Sequence, residues 1–580
     1  MGWEIVEEVG TGRTNLHPAG VQSWILGVTA RSRFVIALAL GLGPLASSAP
    51  ASPTFDKDAA LILFKNCAKC HRPGEIASTI PLLSYETARP WAKSIKEKVL
   101  SRQMPPWGAD PNASMKFRND PRLSQRDIDT LAAWVNSGAP KGNDRDLPPL
   151  PEFPQGWLHP SGVPPDIVLS SPDEIQIPAR GEIPYIRYLV KVPFAEDKWV
   201  AAAQVRPGNR AVVHHMAITE LKLDDGVTPA DLDEMARLSK LLGVPNQLTK
   251  SRPAVTAPGD PAVFDMLGMY VPGATIEIYG QDSAKLLKGG QNLYLNFNIH
   301  YTATGKPEKD RSTIGLWFQT APPKHQRFRV PGAAGTIIVQ GRELLTDAPG
   351  RKAEGTSVAI PPIPPLTEKY EVIGVSAYTE PVTIYALQPH AHLRGKYFKY
   401  AAVYPDGREA TLLTVPKYDF NWQLAYELET PLKLPAGSAL VATARYDNPD
   451  PEKAVYFREE NQSWDEMFTP FVDYSLDGQD HIDLVEALGC LEPGADGKWV
   501  LTNASDPVVS RTQATSNAAL RSAASRALGN LRYALLDAAV FQPSGQAGKK
   551  VAVKGALIND AAGSRLNVTS LQTVASTCSN

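Results

Sequence analysis

Ten histidines are spread through 580 residues, yet five of them fall into three short groups. His214 and His215 are adjacent in RAVVHHMAITE, His300 closes NLYLNFNIH, and His390 and His392 alternate in LQPHAHLRG. Neutral imidazole is the commonest protein ligand for transition metals. On a strand, His390 and His392 share a face with backbone positions about 6.6 Å apart, and metal–nitrogen bonds of about 2 Å let both rings reach one ion. His214 and His215 pose a problem, because strand neighbours point to opposite faces. Joint ligation there requires a bulge, a strand end or different ring nitrogens; one core and one surface histidine is the plain alternative. His300 sits with Tyr294, Asn296 and Asn298 on the polar face of an alternating run, where a lone histidine is ordinarily solvated. Met467, in NQSWDEMFTPFVDYS, offers a thioether as a third ligand for His390 and His392. Two imidazoles with a thioether form a soft set suited to Cu(I), and zinc sites rarely include methionine.

A second centre is written in NCAKCHRPG. Cys67, Cys70 and His71 form C-x-x-C-H, the attachment signature of a c-type haem. Two thiols at this spacing reach both vinyl groups while the adjacent imidazole meets the iron. A redox or zinc CxxC is the alternative, but no second ligand pair lies nearby. Methionine is a frequent second axial ligand, and RQMPPWGADPNASMKF offers Met104 and Met115. Met104 is favoured, since Pro105 and Pro106 stop any helix and hold an extended loop; Met115 suits a packing role. LSQRDIDTLAAWVNSGAP predicts a helix with Ser124 as N-cap, Ile128, Leu131, Ala132 and Val135 on one face, and Gly138 as the stop. It resembles the closing helix of a class I cytochrome c.

The elements that must position these groups follow from composition. Lys+Arg 59 against Asp+Glu 61 leaves a net charge of −2, which gives no electrostatic case for nucleic acid or an anionic membrane surface. Proline, at 51 residues, clusters between apolar runs, as in a loop-rich, mainly β chain with few long helices. RSRFVIALALGLGPLASSAPASP has Arg31 and Arg33, an apolar run from Phe34, and Ala49-Pro50-Ala51 as a cleavage site. It predicts export to the periplasm or beyond, with no integral membrane segment once cleaved; an uncleaved anchor is the alternative. Residues 1–28 look unlike a signal start, so initiation downstream of Met1 is expected. The expected division is 1–51 signal peptide, 52–145 c-type cytochrome, 146–165 Pro-rich linker, 166–328 and 329–480 two copper-binding β sandwiches, and 481–580 a small accessory β module, OB-like and carrying one helix. Cys490 and Cys578 bracket that last module, and an oxidising compartment would pair them.

Taken in order, HHM (His214, His215, Met216), HY (His300, Tyr301), HxHxxG (His390, His392, Gly395) and DEM (Asp465, Glu466, Met467) resemble the copper type II, ascorbate-dependent monooxygenases. That family includes the peptidylglycine α-hydroxylating and dopamine β-hydroxylating enzymes. The resemblance covers roughly residues 165–480. It implies two nine-stranded, jelly-roll-like antiparallel sandwiches side by side with a cleft between them, and one copper on each. His214, His215 and His300 would bind the electron-transfer copper, and His390, His392 and Met467 the catalytic copper where oxygen and substrate meet. The implied reaction is hydroxylation of a substrate C–H bond by dioxygen, the substrate being a small molecule or a peptide. Two electrons come from ascorbate or a redox protein, and a haem in the same chain is expected to serve as their entry point. The peptide-amidating members hold a substrate carboxylate with Arg, Asn and Tyr where this chain has Gln388, Thr469 and Phe471. A glycine-extended peptide is therefore not expected. Arg394 would join the histidines' face if the strand continued, with a surface salt bridge or a supporting role as the alternative. The competing functional readings are a non-catalytic electron-transfer or copper-binding protein, and a cytochrome fused to a degenerate binding sandwich.

Overall fold

The structure, a computed structural model, describes residues 52–579 except 233–250, 254–255, 258–259, 275, 281, 348–359, 458–463, 479 and 495–496. The expected export segment lies outside the described residues.

The N-terminal region is helical. Helices Ala60–Asn66, Ala92–Leu100 and Gln125–Asn136 enclose a core of Phe55, Leu63, Leu82, Ile128, Leu131 and Trp134. Ser124 caps the last helix by accepting from the Asp127 N–H. Its buried stripe is Ile128, Leu131 and Trp134, whereas Ala132 and Val135 are only half-buried. Trp134 takes the inward place because its ring packs on Phe55 and its indole N–H donates to Pro140 O at 3.1 Å, so the polar edge goes inside satisfied.

Beyond residue 166 the chain is built of sheets. The run Leu293–Tyr301 alternates buried and half-buried residues along its whole length, as its period-2 pattern demands. It lies in a five-stranded sheet with Ile186–Lys191, Val213–Leu223, Met266–Tyr270 and Ser251–Pro253. This sheet faces one half of a nine-stranded sheet, and Met216, Ile218, Phe297, Val200, Val205 and Leu316 fill the space between. The other half of the nine-stranded sheet faces a six-stranded sheet, across Leu387, Val472, Phe398, Tyr400 and Ala442. The two sandwiches thus share one continuous sheet. The joining strand is His325–Val330, parallel to Ser283–Leu287 on one side and antiparallel to Thr469–Leu476 on the other.

A buried ionic cluster sits at this seam. Asp473 accepts from Arg327 at 2.6 Å and from Arg329 at 2.8 Å, Arg329 also reaches Glu277, and the fully buried Lys285 pairs with Asp265 at 2.7 Å. Burial alone would raise the Asp473 pKa, but the two guanidiniums outweigh it and hold the carboxyl well below its usual range.

Two segments take places that their composition did not reveal. The 146–165 stretch is pinned rather than free: Trp157 lies over Gly315, Leu158 N donates to Gln204 Oε1 at 2.7 Å, and Trp317 donates to Val163 O at 3.0 Å. The C-terminal six-stranded sheet covers the outer face of the second sandwich, where Ile338, Ile373, Val375 and Val441 meet Val485, Val553 and Leu566. This explains why Thr367–Ala377 is buried on both faces along its second half. Cys490 and Cys578 form a disulfide, closing that module across 88 positions.

Candidate metal centre and haem site

His300 is the Cα partner of His215, but the next residue, Tyr301, pairs with Val213. One step on the Leu293–Tyr301 strand therefore matches two on its neighbour, and His214 is the extra residue of a β-bulge. A bulge re-aims the side chain it carries, which removes the objection that adjacent strand residues must point apart. His214, His215 and His300 consequently each offer a ring nitrogen within 4.8 Å of the others.

His390 is the last residue of its strand, Val382–His390, and His392 lies just beyond. Their rings are 5.3 Å apart between centroids. His390 Nδ1–H donates to Gln423 Oε1 at 2.6 Å, and His392 Nδ1–H donates to the Asp465 carbonyl at 3.0 Å. In both rings this fixes the tautomer and leaves Nε2 to serve as a ligand. Met467 sits two residues before Thr469, which is the Cα partner of His390. Glu466, fully buried, ties this corner together by accepting from the backbone N–H groups of His392 (2.8 Å), Arg394 and Met467 (3.2 Å). Burial pushes its pKa up to about 8 against those three donors. The acidic residue of the DEM triplet is thus a staple between the histidine turn and the methionine segment. A turn at Leu393 and Arg394 ends the strand before Arg394, so the condition that would have placed it on the histidines' face is not met.

The two groups adjoin. His215 and His390 have ring centroids 6.4 Å apart, and Phe420 lies within 5.6 to 6.3 Å of His214, His215, His300 and His392. Tyr185 stacks on His300 at 4.6 Å, its hydroxyl lies 3.1 Å from His215 Nε2, and its ring is 6.2 Å from that of His392. The five rings form a single cluster rather than two sets facing each other across an open cleft. Burial holds His214 and His390 down to about 4 and His300 to about 3, and in His215 burial, joined by the other four imidazoles, brings the pKa well below its ordinary value. His214, His215, His300 and His390 are thus neutral near pH 7, as metal ligation requires. The donor set therefore fits copper: imidazoles, two of them with fixed tautomers, and a neighbouring thioether.

Three of these neighbours, Tyr185, Phe420 and Gln423, carry no sequence signal, because each is a single residue outside any repeating pattern. Gln388 is buried and donates to Met269 Sδ at 2.8 Å and to the Gln423 carbonyl, so no cation stands at that position. His159 stacks on Trp317, His325 bonds the Leu476 carbonyl and His481 faces Glu380, all with structural partners of their own.

At the C-x-x-C-H turn, Cys67 caps helix Ala60–Asn66 and the His71 N–H returns to Cys67 O at 2.9 Å. Both thiols are free, and His71 Nδ1–H donates to Ile80 O at 3.0 Å, leaving Nε2 for an iron. These residues fit a covalent haem. Met104 lies in the loop after Ala92–Leu100, while Met115 packs against the core of the second sandwich.

Residues 358–494 match the family model of the copper type II ascorbate-dependent monooxygenase C-terminal domain, and residues 58–139 match that of cytochrome c. The two matches, in this order, are those of a cytochrome c domain followed by a copper type II monooxygenase C-terminal domain. No curated protein matches it. The cytochrome domain implies covalent haem c, and the monooxygenase domain implies copper, dioxygen, a substrate and a reductant as its partners. His390, His392 and Met467 fall inside the monooxygenase match, whereas His214, His215 and His300 lie between the two matched stretches. Among the described residues, no helix is long and apolar enough to cross a membrane.

Proposed function

We propose that the chain is an exported copper monooxygenase that hydroxylates a C–H bond with dioxygen, its electrons arriving through the c-type haem. The observation carrying this reading is the cluster itself: three imidazoles within 4.8 Å beside a second pair whose Nδ1 atoms are both engaged and whose strand neighbour brings Met467. His214, His215 and His300 would hold one copper, and His390, His392 and Met467 another. Bound copper would supply the one-electron chemistry that lets dioxygen attack a C–H bond. Gln423 and the Asp465 carbonyl keep the second pair of rings in register, and Glu466 fixes the spacing between His392 and Met467. Phe420 and Phe471 give the cluster apolar walls that exclude water, and the absence of a cation at Gln388, Thr469 or Phe471 favours a neutral substrate over a carboxylate.

Metal analysis, copper EPR and ascorbate-driven oxygen uptake on the wild type and Met467→Ala test the reading. Two coppers per haem are expected, with the mutant losing oxygen uptake while keeping the three-histidine copper signal. Oxygen uptake indifferent to Met467 would favour a copper-binding electron carrier instead.

A further inference from the structure

The haem motif is not merely tethered near the histidines; it meets the turn that leads into the strand Val213–Leu223 and the turn that follows that strand's neighbour, Met266–Tyr270. Gly273, in the turn after Met266–Tyr270, has a φ of +87°, and a Cβ placed there would lie 3.6 Å from Lys69 Cε and 3.8 Å from Cys70 Sγ. The turn thus runs close beside a thiol that the haem would use. Three residues earlier, the buried Tyr270 is the Cα partner of Met216, the residue after His215. Glu75, four residues beyond His71, holds Arg72 at 2.6 Å and Arg210 at 3.1 Å. Arg210 precedes His214 by four residues, in the turn that leads into the strand Val213–Leu223. Glu75, Arg210 and Cys70 are all close enough to Tyr270 to act on its hydroxyl, which burial above all keeps protonated.

We propose that the Gly273 turn, Tyr270 and the Glu75–Arg210 ion pair form an electron-entry junction that delivers haem electrons to the His214–His215–His300 set and not directly to the His390–His392–Met467 set. This rests on the copper reading above. The step is the passage of one electron from ferrous haem to a cupric ion on that set, the iron being oxidised and the copper reduced with no bond made or broken. Gly273 supplies the positive φ that the turn needs, a Cβ there would already be in contact with Lys69 and Cys70 so that a larger side chain would press on the haem loop, and Arg210 clamps the approach to the strand against that loop. The cytochrome's other attachment runs the opposite way: residues 108–119 dock on Glu409–Val415 and Tyr426–Leu434 of the second sandwich. That attachment supplies the rival route.

The test uses the fully loaded holoprotein under argon. The haem is reduced by a flash, and its reoxidation by Cu(II) is followed in the haem absorption band. The wild type should reoxidise in one phase that His300→Ala abolishes and Met467→Ala retains. Gly273→Val and Arg210→Ala should slow this phase about tenfold with copper content and haem spectrum unchanged, and Arg210→Lys should restore most of it. Wild-type rates in both junction variants, or loss of the phase in Met467→Ala in place of His300→Ala, would overturn the junction while leaving haem as the electron donor. A wild type that does not reoxidise at all would overturn both. If Gly273→Val fails to fold, the Arg210→Ala and Arg210→Lys pair decides.

Discussion

At the scale of single residues, Gln423 is the most informative position, since its carbonyl oxygen decides which nitrogen of His390 is free. It is 2 % exposed, and its amide nitrogen is spent on Phe420 O, so its orientation is fixed. Gln423→Leu should weaken copper binding at the His390–His392–Met467 set or its activity by roughly 10- to 100-fold, the usual cost of losing a partner that orients a ligand. Copper titration followed by EPR would show it, with the signal of the three-histidine set preserved. The residues that the fold gathers at this centre were legible in the sequence as candidate ligands, because metal chemistry restricts residue type and strand geometry restricts spacing. C-x-x-C-H and H-x-H each encode a local constraint. Gln423, Phe420 and Tyr185 were not legible, because the first two lie in the irregular loop between Glu409–Val415 and Tyr426–Leu434 and Tyr185 just before the strand Ile186–Lys191, where nothing local distinguishes such a residue from its neighbours.

At the scale of elements, periodicity revealed the strands but not where they deviate. The alternation of Leu293–Tyr301 was readable; the bulge that turns His214 toward His215 was only one of three ways to satisfy the metal, and pairing with a second strand was needed to choose. The closing helix of the cytochrome was placed correctly, but Trp134 displaced Val135 from its inner face because a large ring with a bonded N–H fills more of that core. A second element shows a strain unrelated to copper. Asp537 is left-handed at φ 53°, and its Oδ2 is buried without a hydrogen-bond partner among the described residues. Burial, reinforced by Glu409, raises its pKa from 3.8 to about 7. A carboxyl raised on folding favours the native state below its unfolded pKa, and that advantage is lost as pH rises through the folded one. Asp537→Asn should therefore flatten the pH dependence of stability between about 4 and about 7 and stabilise the protein above that by about 1–3 kcal/mol, the cost of a buried unsatisfied group. Asparagine tolerates the same backbone. Denaturant unfolding across that pH range checks it. In the docking segment, Phe117 is buried among Trp107, Tyr426 and the second core. Phe117→Ala should cost about 3 kcal/mol in thermal unfolding.

At the scale of the whole molecule, the two sandwiches behave as one body because a single sheet crosses between them over a buried ionic seam. Removing one partner of such a cluster leaves an uncompensated charge, so Asp473→Asn should cost about 3–5 kcal/mol at neutral pH. Because the Asp473 pKa is depressed on folding, its contribution is present above the unfolded value of 3.8 and is lost as pH falls toward the folded one. Wild type and variant should thus begin to converge in stability as pH falls below about 3.8 and go on converging toward the depressed folded value, which acid unfolding curves would reveal. None of this seam was readable beforehand: Arg327 and Arg329 lie 146 and 144 positions from Asp473, and only the pairing of their strands brings them together. The same long reach governs how the chain can be made. Ser114 donates to Thr414 O, and Met115 N donates to Leu412 O at 2.9 Å, so the loop following Met104 finds its seat in a strand about 300 positions downstream. Contacts so distant close late. The haem region is synthesised before the sandwich that seats it, and the loop after Met104 takes its place only once the strand Glu409–Val415 has been made and has folded beneath it.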